Sequence, residues 1–381
     1  MTLASVRLPA RLFGAIRLAL PVMVAAGIAA PPRAGAMPLY ASREGKTCIS
    51  CHYDPNGGGM RNDFGFLYGK NRHGLDTEEK WAKVTVDPRL NEWVAIGMDT
   101  RLLYIASHSK GGPTLSTSTF FPMQGQLTVA ITPHDNLTIV ASRGITIDTN
   151  AFEARELYGL IHDLPHDLYA KIGRFRLPFG LRQDDHTSYI RTPQFLSYNS
   201  QADDAGIEVG SAGSRYFGQF SFTNGSGTIS GERAQTLAAK AGLGGQRISA
   251  GVSGFHQYRE LFGITQDRWA AYGMSTWQKL TLIGEYGGGT EKAPIPFGGT
   301  RNLWAAFAEL DYRVARGINV RGKFDYLEPD RDASGDLYRR WLVEADLVPV
   351  PFTEMKLSYR DHNEETLGKY QEYLVQFFFP F

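Results

Sequence analysis

The segment EYLVQFFFPF, residues 372–381, alternates between two faces as a β-strand does. Tyr373, Val375, Phe377, Phe379 and Phe381 share one face, which is apolar and largely aromatic. A buried edge strand would explain an apolar face, but it gives no reason for an aromatic residue at the last position. The pattern favours a strand whose apolar face is turned outward to lipid.

The same alternation recurs through the chain from about residue 92, where helical periodicity gives way to a period of two. In TEMKLSYR, residues 353–360, the apolar side chains occupy one face and the charged side chains occupy the other. Sixteen strands are predicted in this way, at 92–104, 120–132, 136–147, 152–162, 167–176, 204–211, 215–224, 236–243, 247–257, 267–275, 277–287, 301–313, 317–327, 338–347, 353–361 and 370–381.

The connections between these strands alternate in length. Short turns such as TPHDN and VARG join even strands to odd ones, whereas segments 107–119, 177–203, 288–300 and 328–337 are longer. An even strand number with short turns at one end is typical of outer-membrane barrels, and 372–381 resembles their C-terminal assembly signal. We therefore predict an all-β fold, a transmembrane outer-membrane barrel of about 16 antiparallel strands. Its lumen would hold the charged residues Arg321, Lys323, Arg340, Glu344, Asp346, Glu354, Lys356 and Arg360.

Residues 1–36 have the features of a secretory signal peptide, with basic residues, the apolar run LALPVMVAAGIAA and a small-residue end, AGA. The apolar run is broken by Pro21 and is shorter than the roughly 20 residues that a spanning helix needs. Removing this segment, which holds four arginines and no acidic residue, leaves 36 basic and 39 acidic residues. This balance indicates no nucleic-acid partner.

The two cysteines lie in KTCISCH, where Cys48 and Cys51 are followed directly by His52. Cys-x-x-Cys-His is the attachment pattern of c-type haem: two thiols bond one haem, and the next residue supplies the proximal imidazole. A zinc site needs four ligands and no second cysteine pair exists, while a thioredoxin-like pair expects a βαβ setting that is absent. We predict one covalent haem c on Cys48, Cys51 and His52, in a domain with its linker at 37–90 before a barrel at 91–381.

The distal ligand of this haem is open from the sequence. His73 could reach the second face of the haem by way of a short helix in MRNDFGFLYGKNRHG, and we prefer it. Met60 lies only eight residues after His52, which is a tight wrap around a macrocycle, and it would raise the potential relative to histidine. Five-coordinate iron is the third possibility.

Segment 177–203 is the longest connection, and GRFRLPFGLRQDD, residues 173–185, looks like the stretch that opens the long loop of anion-type porins. Such a loop can fold inward and constrict the pore. We expect instead a solvated outer loop, in keeping with the usual position of loops. No hydrolase motif is present in the chain.

LYASREGKTCISCH, then NDFGFLYGKNRHG, then a barrel ending in phenylalanine, resembles the fused outer-membrane monohaem cytochrome–porins associated with extracellular Fe(II) oxidation. The resemblance covers about residues 37–75 in sequence and the barrel only in architecture, and PNGGGM departs from the family. It implies an electron-transfer protein, with Fe(II) oxidase activity, whose haem domain plugs the lumen. Its partners would be membrane lipid, an extracellular donor such as Fe(II), and a periplasmic cytochrome or other carrier.

Two alternatives stay open at this point. The barrel could be a passive porin for small anionic solutes with an appended periplasmic haem domain. The electrons could also run outward to an extracellular acceptor, since nothing in the sequence sets their direction.

Overall fold

The computed structural model describes residues 39–75, 87–110, 116–144, 154–183, 185, 187–192, 203–225, 234–245, 247–260, 262–294 and 299–381. The predicted signal peptide, residues 1–36, lies outside them. Sixteen antiparallel strands close into one barrel, in which sequence neighbours pair and the first strand pairs with the last. The strands are β1 (Val94–Ser109), β2 (Thr117–His134), β3 (Leu137–Gly144), β4 (Ala154–Leu164), β5 (Leu168–Arg176), β6 (Asp203–Ser211), β7 (Tyr216–Thr223), β8 (Ala234–Leu243), β9 (Ile248–Arg259), β10 (Ile264–Trp277), β11 (Leu280–Lys292), β12 (Thr300–Ala315), β13 (Ile318–Glu328), β14 (Tyr338–Leu347), β15 (Glu354–Glu364) and β16 (Gly368–Pro380).

The predicted fold class is confirmed, and every predicted strand overlaps an observed one. The strand ends differ most at the first hairpin, where β1 and β2 pair as far as Ser107 and Thr117. The residues there are mostly small and polar, so that their alternation carries little signal. The two-residue turns, at 135–136, 278–279 and 316–317, all lie at one end of the barrel. We call it the periplasmic end, because short turns face the periplasm in barrels of this kind.

The outer wall is apolar and is bordered by aromatic side chains. Leu357 and Val320 point outward, whereas their neighbours Lys356 and Asn319 are buried inside. Aromatic pairs on the outer surface lie toward the end with the long loops, such as Tyr104 with Phe120 and Tyr359 with Tyr373. Other exposed aromatic residues border the periplasmic end, namely Tyr216, Trp277 and Tyr312. This arrangement matches a wall that faces lipid between two interfacial girdles.

The N-terminal segment 39–75, which we call the plug, lies inside the barrel. It contains helix α1 (Leu39–Glu44), a 3₁₀ turn (Cys48–Ser50), helix α2 (Asp63–Tyr68) and a π-helical turn (Gly69–His73). Its first helix is bonded to the wall, since the Ser42 and Thr276 hydroxyls are 2.7 Å apart. Its far end joins a periplasmic turn, where the Leu75 amide donates to the Val348 carbonyl at 2.8 Å. Among the described residues, no helix combines the length and the apolar composition required to cross a membrane.

The strongest attachment of the plug is made by Asp54, a side chain that is 2 % exposed. Its carboxylate accepts from Lys171 Nζ of β5 at 3.1 Å and from Arg182 at 2.9 Å. Lys171 is also 3.1 Å from Glu208 of β6, which in turn accepts from Asn56 of the plug. One buried network of charges therefore joins the plug, two strands and the connection after β5.

That connection corrects the expectation of a solvated outer loop. Residues 177–183, 185 and 187–192, which we call the lumenal loop, fold into the barrel. Ile190 is fully buried, and Arg191 is paired with Glu285 of β11. Tyr189 donates to Glu364 of β15 at 2.6 Å. The loop turns inward because its apolar side chains pack into a core inside the lumen, where the neighbouring basic residue also meets a carboxylate. His186 of the same connection lies outside the described residues.

We predict that Lys171→Ala lowers the free energy of unfolding by about 3–5 kcal/mol, because the buried carboxylates of Asp54 and Glu208 each lose a cationic partner. The measurement is urea unfolding in detergent micelles, followed by tryptophan fluorescence. Lys279→Ala is the matched control, since Lys279 is exposed and donates to the Val314 carbonyl near the end of β12. Equal effects of the two substitutions would show that the buried network does not hold the plug.

Candidate cofactor site in the barrel lumen

A cavity of about 460 Å³ lies along the plug, and every sequence-predicted attachment residue lines it. Cys48, Cys51 and His52 form one side, and His73 lies on the same cavity. Three short elements bring them together: the 3₁₀ turn, helix α2 and the π-helical turn. The structure thus gathers four residues that are spread over 26 positions of sequence, 48–73.

The two thiols are placed by the 3₁₀ turn. The amides of Cys51 and His52 both donate to the Cys48 carbonyl, at 3.1 and 3.0 Å. This tight turn puts both sulfur-bearing side chains on the cavity, with the imidazole directly after them. Burial raises the pKa of Cys48 to about 11, and it also raises the pKa of Cys51, so both are neutral thiols at pH 7.

The His52 imidazole is oriented by one hydrogen bond. Its Nδ1–H donates to the Gly59 carbonyl, 3.2 Å away, and this leaves Nε2 as the nitrogen with a free lone pair. Burial lowers the pKa of His52 to about 4, with Arg61 and Arg182 acting in the same direction. The ring is therefore neutral at physiological pH, which is the form that binds iron.

His73 is the second imidazole on the cavity. It is 9 % exposed, and its buried Nε2 has no hydrogen-bond partner among the described residues. Tyr40 packs against the ring edge-on, with 4.5 Å between ring centroids. Burial lowers the pKa of His73 to about 4. A buried, neutral nitrogen without a hydrogen-bond partner is unfavourable, and coordination of a metal ion would satisfy it.

Met60 is placed differently from His73. Its side chain is buried against the barrel wall beside Gly97 of β1 and packs with Ala95 and Tyr158. It is absent from the lining of the cavity that holds the two thiols. Met60 instead borders a second chamber of about 280 Å³, between the plug and the lumenal loop, which His52 and His73 also line.

The rest of the cavity suits a flat, largely apolar group with negative substituents. Phe64 and Leu67 of α2 line it and are 47 % and 53 % exposed, so their apolar surface is uncovered. Lys46, Arg61 and Arg72 line it as well, against the single carboxylate of Glu44. Haem brings an apolar macrocycle and two propionates, so the residues fit the cofactor predicted from the sequence.

The candidate haem site differs from a site in which protein side chains alone coordinate a metal ion. Among the described residues, no three His, Cys, Asp or Glu side chains converge to hold a metal ion. This disfavours a zinc site at Cys48 and Cys51, which would need four protein ligands. A haem brings four nitrogen ligands of its own and needs only one or two from the protein.

The PNGGG stretch, which departs from the resembling family, sets the position of these residues. Gly57, Gly58 and Gly59 all have positive φ, of 80°, 69° and 62°. A Cβ on Gly57 would lie 3.1 Å from the Cys48 sulfur, and one on Gly58 would collide with the Arg182 guanidinium. Only glycine gives a left-handed run with so close an approach. The sequence alone gives no signal that Asp54, just before this stretch, and Asn56 within it meet Lys171, Arg182 and Glu208.

Comparisons with known proteins give no sequence family. No family model matches the chain, and no curated protein matches it.

Solved structures similar to this one are outer-membrane porins and channels. The anion-selective porin from Comamonas acidovorans is 11% identical with a TM-score of 0.58, covering 76% of this chain and 99% of its own. OmpF of Salmonella typhi, in complex with daunomycin, is 8% identical with a TM-score of 0.59, covering 76% and 97%. DcaP of Acinetobacter baumannii is 12% identical with a TM-score of 0.57 and the same coverage. The chain therefore has the fold of the outer-membrane porins, a closed barrel of 16 strands.

Proposed function

We propose that this protein is an outer-membrane electron conduit, in which a single covalent haem c is held by the plug inside the barrel. One observation carries the proposal: the thiols of Cys48 and Cys51 and the imidazoles of His52 and His73 line the same cavity within the lumen. A porin that only passes solutes has no need for this donor set.

Each residue then has a defined role. Cys48 and Cys51 would anchor the cofactor, and His52 and His73 would bind its iron, whereas Met60 stays in the wall packing. Arg61, Arg72 and Lys46 would offset the propionate charges. The haem would supply a one-electron carrier, whose potential is set by its ligands, its exposure and nearby charges. The Gly59 carbonyl holds the His52 ring in the tautomer that leaves Nε2 free.

The hydrocarbon core of the membrane is about 30 Å thick, and a water-soluble electron carrier cannot cross it unaided. The barrel contributes a polar passage through this layer. The plug fills the periplasmic half of this passage, and the lumenal loop fills much of the outer half. An electron donor outside would be Fe(II), as the family resemblance implies, and the acceptor would be a soluble periplasmic carrier. The opposite direction of flow uses the same site.

A passive porin is the second candidate, and the structural comparisons support it better than they support the conduit. The similar structures include an anion-selective porin, and the lumen carries charges of both signs on its wall. In this case the plug would have to move aside, or leave a continuous water path beside the lumenal loop, for solutes to pass.

We expect purified protein to show a c-type absorption spectrum that survives denaturation, because the cofactor is covalent. Cys48→Ser/Cys51→Ser should lose this haem. His73→Ala should keep it but change from a six-coordinate to a high-spin spectrum, whereas Met60→Ala should keep the six-coordinate spectrum. Absorption and magnetic circular dichroism make the measurement. A spectral change in Met60→Ala alone would assign the distal role to methionine.

The conduit predicts electron transfer across a sealed membrane. Liposomes with a reducible dye inside and Fe(II) outside should show dye reduction with the native protein and none with Cys48→Ser/Cys51→Ser. An impermeant reductant outside, tested in parallel, separates electron transfer from Fe(II) leakage. Equal dye reduction by the native protein and the haem-free variant would rule out the conduit.

The porin alternative is tested by conductance in planar bilayers. We expect low conductance in the native protein, since plug and loop both occupy the lumen. Asp54→Ala should raise the conductance, because it frees the plug from Lys171 and Arg182. Asp135→Ala, in an exposed turn, is the control. A native conductance as large as that of an open 16-stranded porin would favour the porin reading.

A further inference from the structure

The periplasmic rim of the barrel is divided by charge. One arc, formed by the residues before β1 and by the turns β2–β3 and β4–β5, carries the carboxylates of Asp87, Glu92, Asp135, Asp163 and Asp167, with Arg89 as its cation. The arc from the β6–β7 turn to the β12–β13 turn carries no carboxylate among its described residues; its cations are Arg215, Arg247, Lys279, Arg313 and Arg316. Such a division creates an oriented field at this end of the molecule.

A cleft of about 750 Å³ opens within the acidic arc, between the plug and the wall. Glu92, Asp135 and Asp163 line it, and so does Asp63, which is paired with Arg89 on the plug side. Its apolar lining includes Trp93, which is 59 % exposed, together with the exposed ring of Phe64. An exposed aromatic anchor surrounded by a polar rim is a common composition of a protein docking site.

The same cleft reaches the wall of the cofactor cavity. His52 and Phe64 line both the cleft and the cavity that holds the two thiols. A molecule seated in the cleft would thus contact the proximal side of the candidate haem site.

At the basic arc, the described end of the plug lies directly against the wall. There the Leu75 amide donates to the Val348 carbonyl at 2.8 Å, and Arg316 donates to the Leu75 carbonyl at 3.0 Å. Gly317 lies so close to the plug that a Cβ on this residue would be 2.6 Å from the Leu75 nitrogen. The plug is sealed against the wall on this side.

We propose that the cleft is the docking site of a soluble periplasmic redox protein whose contact face is basic, with lysines or arginines around its redox centre. This inference rests on the proposed conduit, and it adds where the periplasmic partner binds and which charge it carries. The acidic arc steers the partner, the basic arc repels its face from the sealed side, and Trp93 and Phe64 supply the apolar contact.

The test uses the full-length haem-loaded protein in nanodiscs. The probe is a small c-type cytochrome with a lysine-ringed haem edge, and the matched probe is the same cytochrome with its lysines acetylated. Binding is measured by titration calorimetry at about 0.01 M salt, where charges act over roughly 30 Å, and again at 0.15 M, where they act over roughly 8 Å. The variant Glu92→Gln/Asp135→Asn/Asp163→Asn removes three carboxylates of the cleft and keeps residues that tolerate these turns. The control is Arg247→Gln/Lys279→Gln/Arg313→Gln in the basic arc.

We expect the unmodified probe to bind the native protein at low salt and the acidic-arc variant to bind it about tenfold more weakly. The basic-arc control should bind at least as well as the native protein, and the acetylated probe should not bind. Equal binding by both variants, equal binding of the acetylated probe, or no binding to the native protein would overturn the docking site. Because binding is measured without electron transfer, these results are separate from the spectral and liposome results that decide the conduit itself.

Discussion

A carboxylate buried between two cations holds the lumen of this barrel together. Asp54 is inside a passage that would otherwise be filled with water, and it is stable as an anion only because Lys171 and Arg182 meet it there. Burial by itself raises the pKa of Asp54, and the two cations lower it to about 2. The pairing is reciprocal, since Lys171 and Arg182 would each lose one of their anionic partners without the plug. This contact helps to position the His52 imidazole, because His52 is only two residues before Asp54 in the chain.

The barrel could be predicted from the sequence because the same physical requirement applies to every strand. Each strand must present lipid with apolar side chains at every second position, and this rule produced sixteen strands in the right places. The charged residues assigned to the lumen, among them Lys323 and Arg340, are buried inside for the same reason. Turn positions were also predictable, since short polar segments must separate the strands. The alternation did not predict how far strands such as β1 and β2 extend. At the end of the barrel away from the periplasm, these strands are held by backbone pairing between small polar residues.

The interior of the barrel was only partly predictable. The attachment motif is local, and its three residues follow from spacing alone. The alternative ligands His73 and Met60 differ in their surroundings, which depend on how the plug sits: one lines the thiol cavity and the other packs on Gly97. The network around Asp54 joins residues that are 117 and 128 positions apart, which no local pattern reports. The inward course of the lumenal loop has the same origin, since its apolar residues find their core among strands far along the chain.

The plug and the lumenal loop obstruct the passage at different depths, and they come from distant parts of the chain. Solute crossing the barrel therefore meets two resistances in series, so the tighter of the two governs leakage. Loosening either one alone removes one resistance and leaves the other in place, so the conductance rises only in part. Arg182 belongs to the outer obstruction and binds Asp54 of the inner one, so the two are also mechanically coupled. A membrane that carries this barrel therefore keeps part of its permeability barrier when one obstruction moves.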